Sequence, residues 1–174
     1  APVASSPCVT VERNAGPPER DGSHARVRDC KFAGGGSGGI GVQLKGGGYN
    51  VEIDSCEFES LTGTAIHSNG TGVSVPLEVK ITNNRFNNNT NAIAISANES
   101  LIYRNFIRQT ANDTNNKVNL VSVSAQGSLN KVIDNVFPDA AANVTIAKGY
   151  KPGTTDVWRN FVTDTAAYIV TVPA

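Results

Sequence analysis

The chain has 174 residues, enough for one domain with a sizeable core, and its 15 basic and 15 acidic residues cancel to a formal net charge of zero. That balance supplies no field to favour nucleic acid or an anionic membrane surface, and no apolar run is long enough to span a bilayer as a helix. The chain opens with APVASSP and contains no methionine, which leads us to expect a mature form or an excised portion of something longer.

In chain order, residues 1–23 read as an arm or capping segment, punctuated by Pro2, Pro7, Gly16, Pro17, Pro18 and Gly22. Within it VTVERN (9–14) imitates the start of a repeat, with Val11 three residues before Asn14, and is expected to lay a strand over an otherwise open end. From residue 24 to 174 one outline recurs: an apolar residue, two variable positions, Cys or Asn, one variable position and a second apolar residue. The copies are Val27/Cys30/Phe32, Ile53/Cys56/Phe58, Ile81/Asn84/Phe86, Ile102/Asn105/Ile107, Val132/Asn135/Phe137 and Val157/Asn160/Val162. Their Cys/Asn positions are spaced by 26, 28, 21, 30 and 25 residues, a period that signals a solenoid.

Each copy is followed by a second short apolar run: GIGVQL (39–44), TAIHS (64–68), AIAIS (92–96), LVSVS (120–124), NVTIA (143–147) and AYIVTV (167–172). These runs are β-branched, alternating and bounded by Gly, Asn, Ser and Thr, which is strand-and-turn chemistry. Helical repeats would need a helical apolar stripe, and none is present. Two or three strands per turn of about 25 residues describe an all-β solenoid, a parallel β-helix of about six rungs. Because AYIVTVP reaches the last residue, no carboxy-terminal cap is expected.

The repeat, a Val/Ile strand, an Asn at a bend and then a Phe, resembles that of the right-handed parallel β-helix proteins of the pectin-lyase-like superfamily. The resemblance covers roughly residues 25–172. It implies the fold, and it implies a range of functions: lyases, hydrolases, epimerases, bacteriophage tailspikes and adhesins share this scaffold.

In such a coil equivalent positions stack about 4.8 Å apart, so Cys30, Cys56, Asn84, Asn105, Asn135 and Asn160 are expected in one structural ladder. An amide there would bond to the backbone and to the next Asn, and Cys is a small, often buried substitute. Packing is the favoured role for Cys30 and Cys56. A disulfide between them is awkward because in-register side chains point in parallel, and His24 and His67 offer too few partners for a metal. Cys8, in the arm, would leave one thiol over if it paired. No cofactor and no metal is expected.

Alternation places the residue after Cys/Asn outside: Lys31, Glu57 and Arg85, then Phe106, Val136 and Phe161. Two residues before Cys/Asn the exterior runs Arg28, Asp54 and Thr82, then Tyr103, Ile133 and Trp158. Tyr103, Phe106, Ile133, Val136, Trp158 and Phe161 thus form an apolar stripe too tall to leave wet. Side-by-side homotrimerisation is the expected cover, with folding-back of loops such as TANDTNNK (110–117) as the alternative. Arg104, Asp134 and Arg159, one residue before Cys/Asn, make either a charge ladder or a contact for an acidic sugar. Tyr49, Tyr103 and Trp158 would stack on sugar rings.

Catalytic residues are not identifiable. Asp29, Asp54, Glu57 and Glu59 crowd one surface without a marked acid/base pair. The polygalacturonase-like motifs and the epimerase-like Asp-Pro-His-Glu are absent, and His67 in TAIHSNG reads as a turn or surface residue at the end of a strand. GGGSGGIG (34–41) and KGGGYN (45–50) lack the ending of a phosphate loop. Sequons at Asn69, Asn88, Asn98, Asn112 and Asn143 are expected by chance in an Asn-rich chain. The expected function is therefore an extracellular or virion module for structure and carbohydrate or receptor recognition, tailspike-like and homotrimeric. The alternatives are a polysaccharide lyase or glycoside hydrolase on the same scaffold and a secreted adhesin or surface-fibre domain.

Overall fold

A computed structural model describes residues 7–12, 24–34, 39–45, 50–68, 78–95, 97, 99–108, 118–120, 130–137, 147–148, 155–162 and 167–169. All the regular structure among them is β-strand, arranged in three sheets. The first sheet collects the strand that precedes each Cys/Asn: β2 (Arg26–Arg28), β5 (Glu52–Asp54), β8 (Lys80–Thr82), β11 (Leu101–Tyr103), β14 (Asn130–Ile133) and β17 (Thr155–Trp158). The second collects the strand that follows it: β3 (Lys31–Ala33), β6 (Glu57–Glu59), β9 (Arg85–Asn87), β12 (Phe106–Arg108), β15 (Val136–Phe137) and β18 (Asn160–Val162), closed by β19 (Ala167–Ile169). The third holds β1 (Pro7–Glu12), β4 (Ile40–Lys45), β7 (Thr64–Ser68), β10 (Asn91–Ile95), β13 (Val118–Leu120) and β16 (Ala147–Lys148).

Every strand pairs in parallel with its counterpart one repeat away, except β19. This is the solenoid the repeat predicts, with the expected six copies in register: Val27, Ile53, Ile81, Ile102, Val132 and Val157 pair in series down the first sheet. Period-two alternation then sends Ile53, Ile81, Ile102 and Val132 to an interior where each is fully buried. The second sheet contributes a column of rings: Phe32 stacks on Phe58 at 4.8 Å between centroids and Phe58 on Phe86 at 5.0 Å.

Among the described residues the rungs turn at three corners, and each kind of corner uses a residue in the left-handed region followed by one that points inward. At the corner between the first and second sheets these are Asp29, Ser55, Asn83, Arg104, Asp134 and Arg159, with φ between 52° and 55°. Asn50, Glu78 and Glu99 serve the corner before the first sheet, and Ser60 and Asn88 the corner after the second. This device turns the chain within one residue, which is why three-residue strands suffice.

Two end elements differ from the sequence expectation. Residues 9–12 of that segment do lay a strand on the stack, but β1 joins the third sheet beside β4, with Val9 opposite Val42 and Val11 opposite Leu44, rather than starting a rung in the first. The run 167–172 reads as the apolar run after the sixth copy, in line with the other five; its described part, β19, instead turns back antiparallel on β18, with Phe161 opposite Tyr168. Of LVSVS and NVTIA, only Leu120 and Ala147 fall within the described residues.

Candidate functional site

The corner between the first and second sheets carries every chemically distinctive column, and its inner lining is an amide ladder. Asn84 Oδ1 accepts from the Cys56 amide at 2.9 Å, Asn105 Oδ1 from the Asn84 amide, Asn135 Oδ1 from the Asn105 amide and Asn160 Oδ1 from the Asn135 amide, the last three at 3.0 Å. Each Nδ2 in turn donates to the carbonyl of the preceding rung: Ile53, Ile81, Ile102 and Val132. Burial of 0–1 % exposure leaves water no access to these groups, so the ladder supplies their partners. Cys56 imitates one half of it, its thiol lying 3.5 Å from the Val27 carbonyl that an amide would otherwise meet. Cys30, at the start of the column, is exposed. All three cysteines are free thiols.

Outside, the corner divides into two halves. In the first three rungs Glu52, Asp54, Glu57 and Glu59 are tied. Lys31 pairs with Glu57 at 3.4 Å and Glu59 at 2.9 Å, and Glu52 pairs with Arg26 at 3.2 Å and Arg28 at 2.6 Å. Asp54 accepts from the Thr82 hydroxyl at 2.6 Å, the Asn83 amide at 2.8 Å and the Ser55 hydroxyl at 3.0 Å. Those bonds, Thr82 first, hold its carboxyl below the usual range, so it stays ionised and is a poor proton donor. A shallow groove of about 470 Å³, which sequence reasoning did not anticipate, runs here between Asp29, Cys30, Lys31, Ser55, Cys56, Glu57, Asn83 and Arg85. Its only sequence signal is the short side chains of Asp29, Ser55 and Asn83 on successive left-handed residues.

In the later rungs the same corner turns apolar, as alternation predicts. Phe106 is 36 % exposed, the one large hydrophobic residue exposed to that degree among the described residues. Strand register aligns Phe106 with Val136 and Phe161, and Tyr103 with Ile133 and Trp158. Tyr103, Ile133, Val136 and Phe161 are half-buried. Between these columns run the left-handed residues Arg104, Asp134 and Arg159. The Arg104 guanidinium lies over the Tyr103 ring at 4.8 Å, Arg85 covers Phe106 at 5.6 Å, and Arg159 pairs with Asp134 at 2.7 Å. The ladder and the sugar-contact readings of these charges therefore share one surface. Tyr49 and the Trp158 side chain lie outside the described residues.

The family described as right handed beta helix region matches residues 16–170. The chain belongs to that family. Neither the curated proteins nor the solved structures yield a significant match.

Away from the corner, the β-helix offers little acid/base chemistry among the described residues. His67 lies near the end of β7, half-buried between Gln43 and Ala94 rather than on the open surface, with its Nδ1 buried and unpartnered. Burial alone pushes its imidazole down, so it is neutral at physiological pH. His24 Nδ1 meets the Asn50 amide at 2.7 Å. No group of three or more His, Cys, Asp or Glu is placed to hold a metal ion among the described residues.

Proposed function

We propose that this β-helix is a carbohydrate-recognition module of an extracellular or virion structure, tailspike-like and homotrimeric, in which the outer corner of the later rungs meets the glycan. One observation carries the reading: rings and cationic side chains stack on one outward strip, Arg104 over Tyr103 and Arg85 over Phe106, with Arg159 held by Asp134, and the Tyr103, Arg104 and Asp134 side of that strip is the part left to the glycan. Aromatic faces suit the apolar side of a sugar ring, and guanidinium groups suit carboxylate or sulfate substituents. The Asp134–Arg159 pair is half-exposed and contributes at most about 1 kcal/mol, so a ligand can compete for either partner at little cost.

A recognition role fits better than polysaccharide cleavage by hydrolysis, because the latter needs one carboxyl group kept protonated beside a second that is ionised. Glu52, Glu57, Glu59 and Asp134 instead face cations, and Asp54 is held ionised.

The test is a panel of acidic and neutral polysaccharides, scored by equilibrium binding and by product length. Binding to an acidic member, weakened by Tyr103→Ala and by Arg104→Ala with chain length unchanged, is the expected result. Depolymerisation would replace recognition by the lyase or hydrolase alternative. Binding untouched by either substitution would move the site elsewhere, and a panel with no binder would sink the proposal.

A further inference from the structure

Cys30 and Cys56 are successive members of the inward column, and what surrounds them is repeated from one rung to the next. Arg28 pairs with Asp54 on one side and Lys31 with Glu57 on the other, and the Glu57 amide donates to the Cys30 carbonyl at 2.9 Å. Each thiol donates to the carbonyl two residues before it, Cys30 to Arg28 at 3.0 Å and Cys56 to Asp54 at 3.3 Å. The two side chains are thus oriented alike on neighbouring rungs, which sets the sulfurs one strand spacing apart, about 4.8 Å. The same stacking holds the Cβ atoms at that spacing, beyond the roughly 3.5–4.5 Å that a disulfide requires. The zinc–thiolate bond of about 2.3 Å sets the scale of a metal–sulfur bond, and two such bonds end to end span about 4.6 Å, close to the spacing of the sulfurs.

We propose that Cys30 and Cys56 form a two-coordinate site for a soft monovalent metal ion of the Cu(I) class. Among the described residues no third His, Cys, Asp or Glu is grouped with the two sulfurs to hold an ion, and a two-sulfur set selects a soft ion over zinc, which takes four ligands. Both residues line the 470 Å³ groove. Cys30 is exposed and receives the ion first, whereas Cys56 is 2 % exposed and closes the inner side. The binding step balances simply: the ion joins both sulfurs, each thiol releases its proton to solvent, and the resulting anionic bis-thiolate sits among Lys31 and Arg85 as well as Asp29 and Glu57. Since two protons leave, affinity falls as pH falls, and burial, which pushes the Cys56 thiol up, adds to that dependence.

The experiment uses the reduced full chain carrying Cys8→Ser, titrated anaerobically with Cu(I) supplied from a chromophoric chelator and read by chelator absorbance and native mass. One ion per chain is expected. Cys30→Ser alters an exposed side chain, and Cys56→Asn installs the residue the column uses in the later rungs, so both are expected to keep the fold, which circular dichroism checks. Each should lose the ion to the chelator. Retention by either variant, one ion per two chains, or a reduced chain that takes up no ion yet forms the Cys30–Cys56 disulfide under mild oxidation would overturn the site.

Discussion

Asn105 shows how much one side chain carries in this architecture. Its Oδ1 accepts from the Asn84 amide nitrogen at 3.0 Å and from Asn84 Nδ2 at 3.1 Å, while its Nδ2 donates to the Ile81 carbonyl at 2.9 Å and to Asn135 Oδ1 at 3.0 Å. Asn105→Ala strands the buried Asn84 amide nitrogen and the buried Ile81 carbonyl and weakens the bonding of Asn84 Nδ2 and Asn135 Oδ1, and the expected loss is about 3–5 kcal/mol, since each buried group left unmade costs about 1–3 kcal/mol. Asn105→Cys keeps one weak donor, as Cys56 does, and should lose less. Urea denaturation of both variants checks the order; equal losses would mean that the amide bonds are not what the column contributes. The ladder was legible in the sequence because only Cys and Asn occupy it. The left-handed column beside it was not, because Arg104 and Arg159 have no special preference for positive φ. Their conformation follows from the tertiary structure: amides at this column reach the next rung, as Ser55 does to Thr82 at 3.2 Å and Asn83 to Tyr103 at 3.2 Å.

Strands of three residues hold their place only through what stacks on them, so element stability depends on column fit. The Phe32–Phe58–Phe86 stack, nearly coplanar with interplanar angles of 7° and 6°, fills the second-sheet side of the core. Gly41 at the start of β4 faces it closely: a Cβ there would sit 2.8 Å from the Phe58 ring and 2.7 Å from the Ala65 carbonyl oxygen. Phe58 is held on both faces and Ala65 is in a paired strand, so neither can give way easily. Gly41→Ala should therefore destabilise by about 1–3 kcal/mol, the usual cost of overpacking. Thermal melts of Gly41→Ala and of Gly41→Ala with Phe58→Leu test this, the second change being expected to restore part of the loss. No loss in the single variant would show that β4 shifts freely. Strand positions could be read from apolar alternation, which β1 and β19 share with the rungs. Their pairing could not, because alternation is the same for a parallel neighbour and an antiparallel return, and Val9 and Val11 fit the inward columns of more than one sheet.

At the scale of the whole molecule the exterior changes character along the axis, from paired charges around Lys31 and Glu52 to the apolar strip that begins at Phe106. A three-rung strip can be covered by association, and rotational symmetry about an axis parallel to the coil would close after a fixed number of copies instead of growing. The proposed trimer places the Phe106, Val136 and Phe161 column at that contact, leaving Arg104 and Asp134 at the mouth of the groove between subunits. Phe106→Glu separates association from folding. Phe106 is already partly exposed and lies under the Arg85 guanidinium, so a carboxylate there gains a cation while placing charge in the proposed contact. Light scattering should give the wild-type chain three times its 18.2 kDa mass and the variant a single chain's mass, with unchanged circular dichroism. A wild-type chain that scatters as a monomer removes the trimer from the proposal; the strip would then be free in solution, and Phe106 would become a second ring, beside Tyr103, on which to seek the bound sugar.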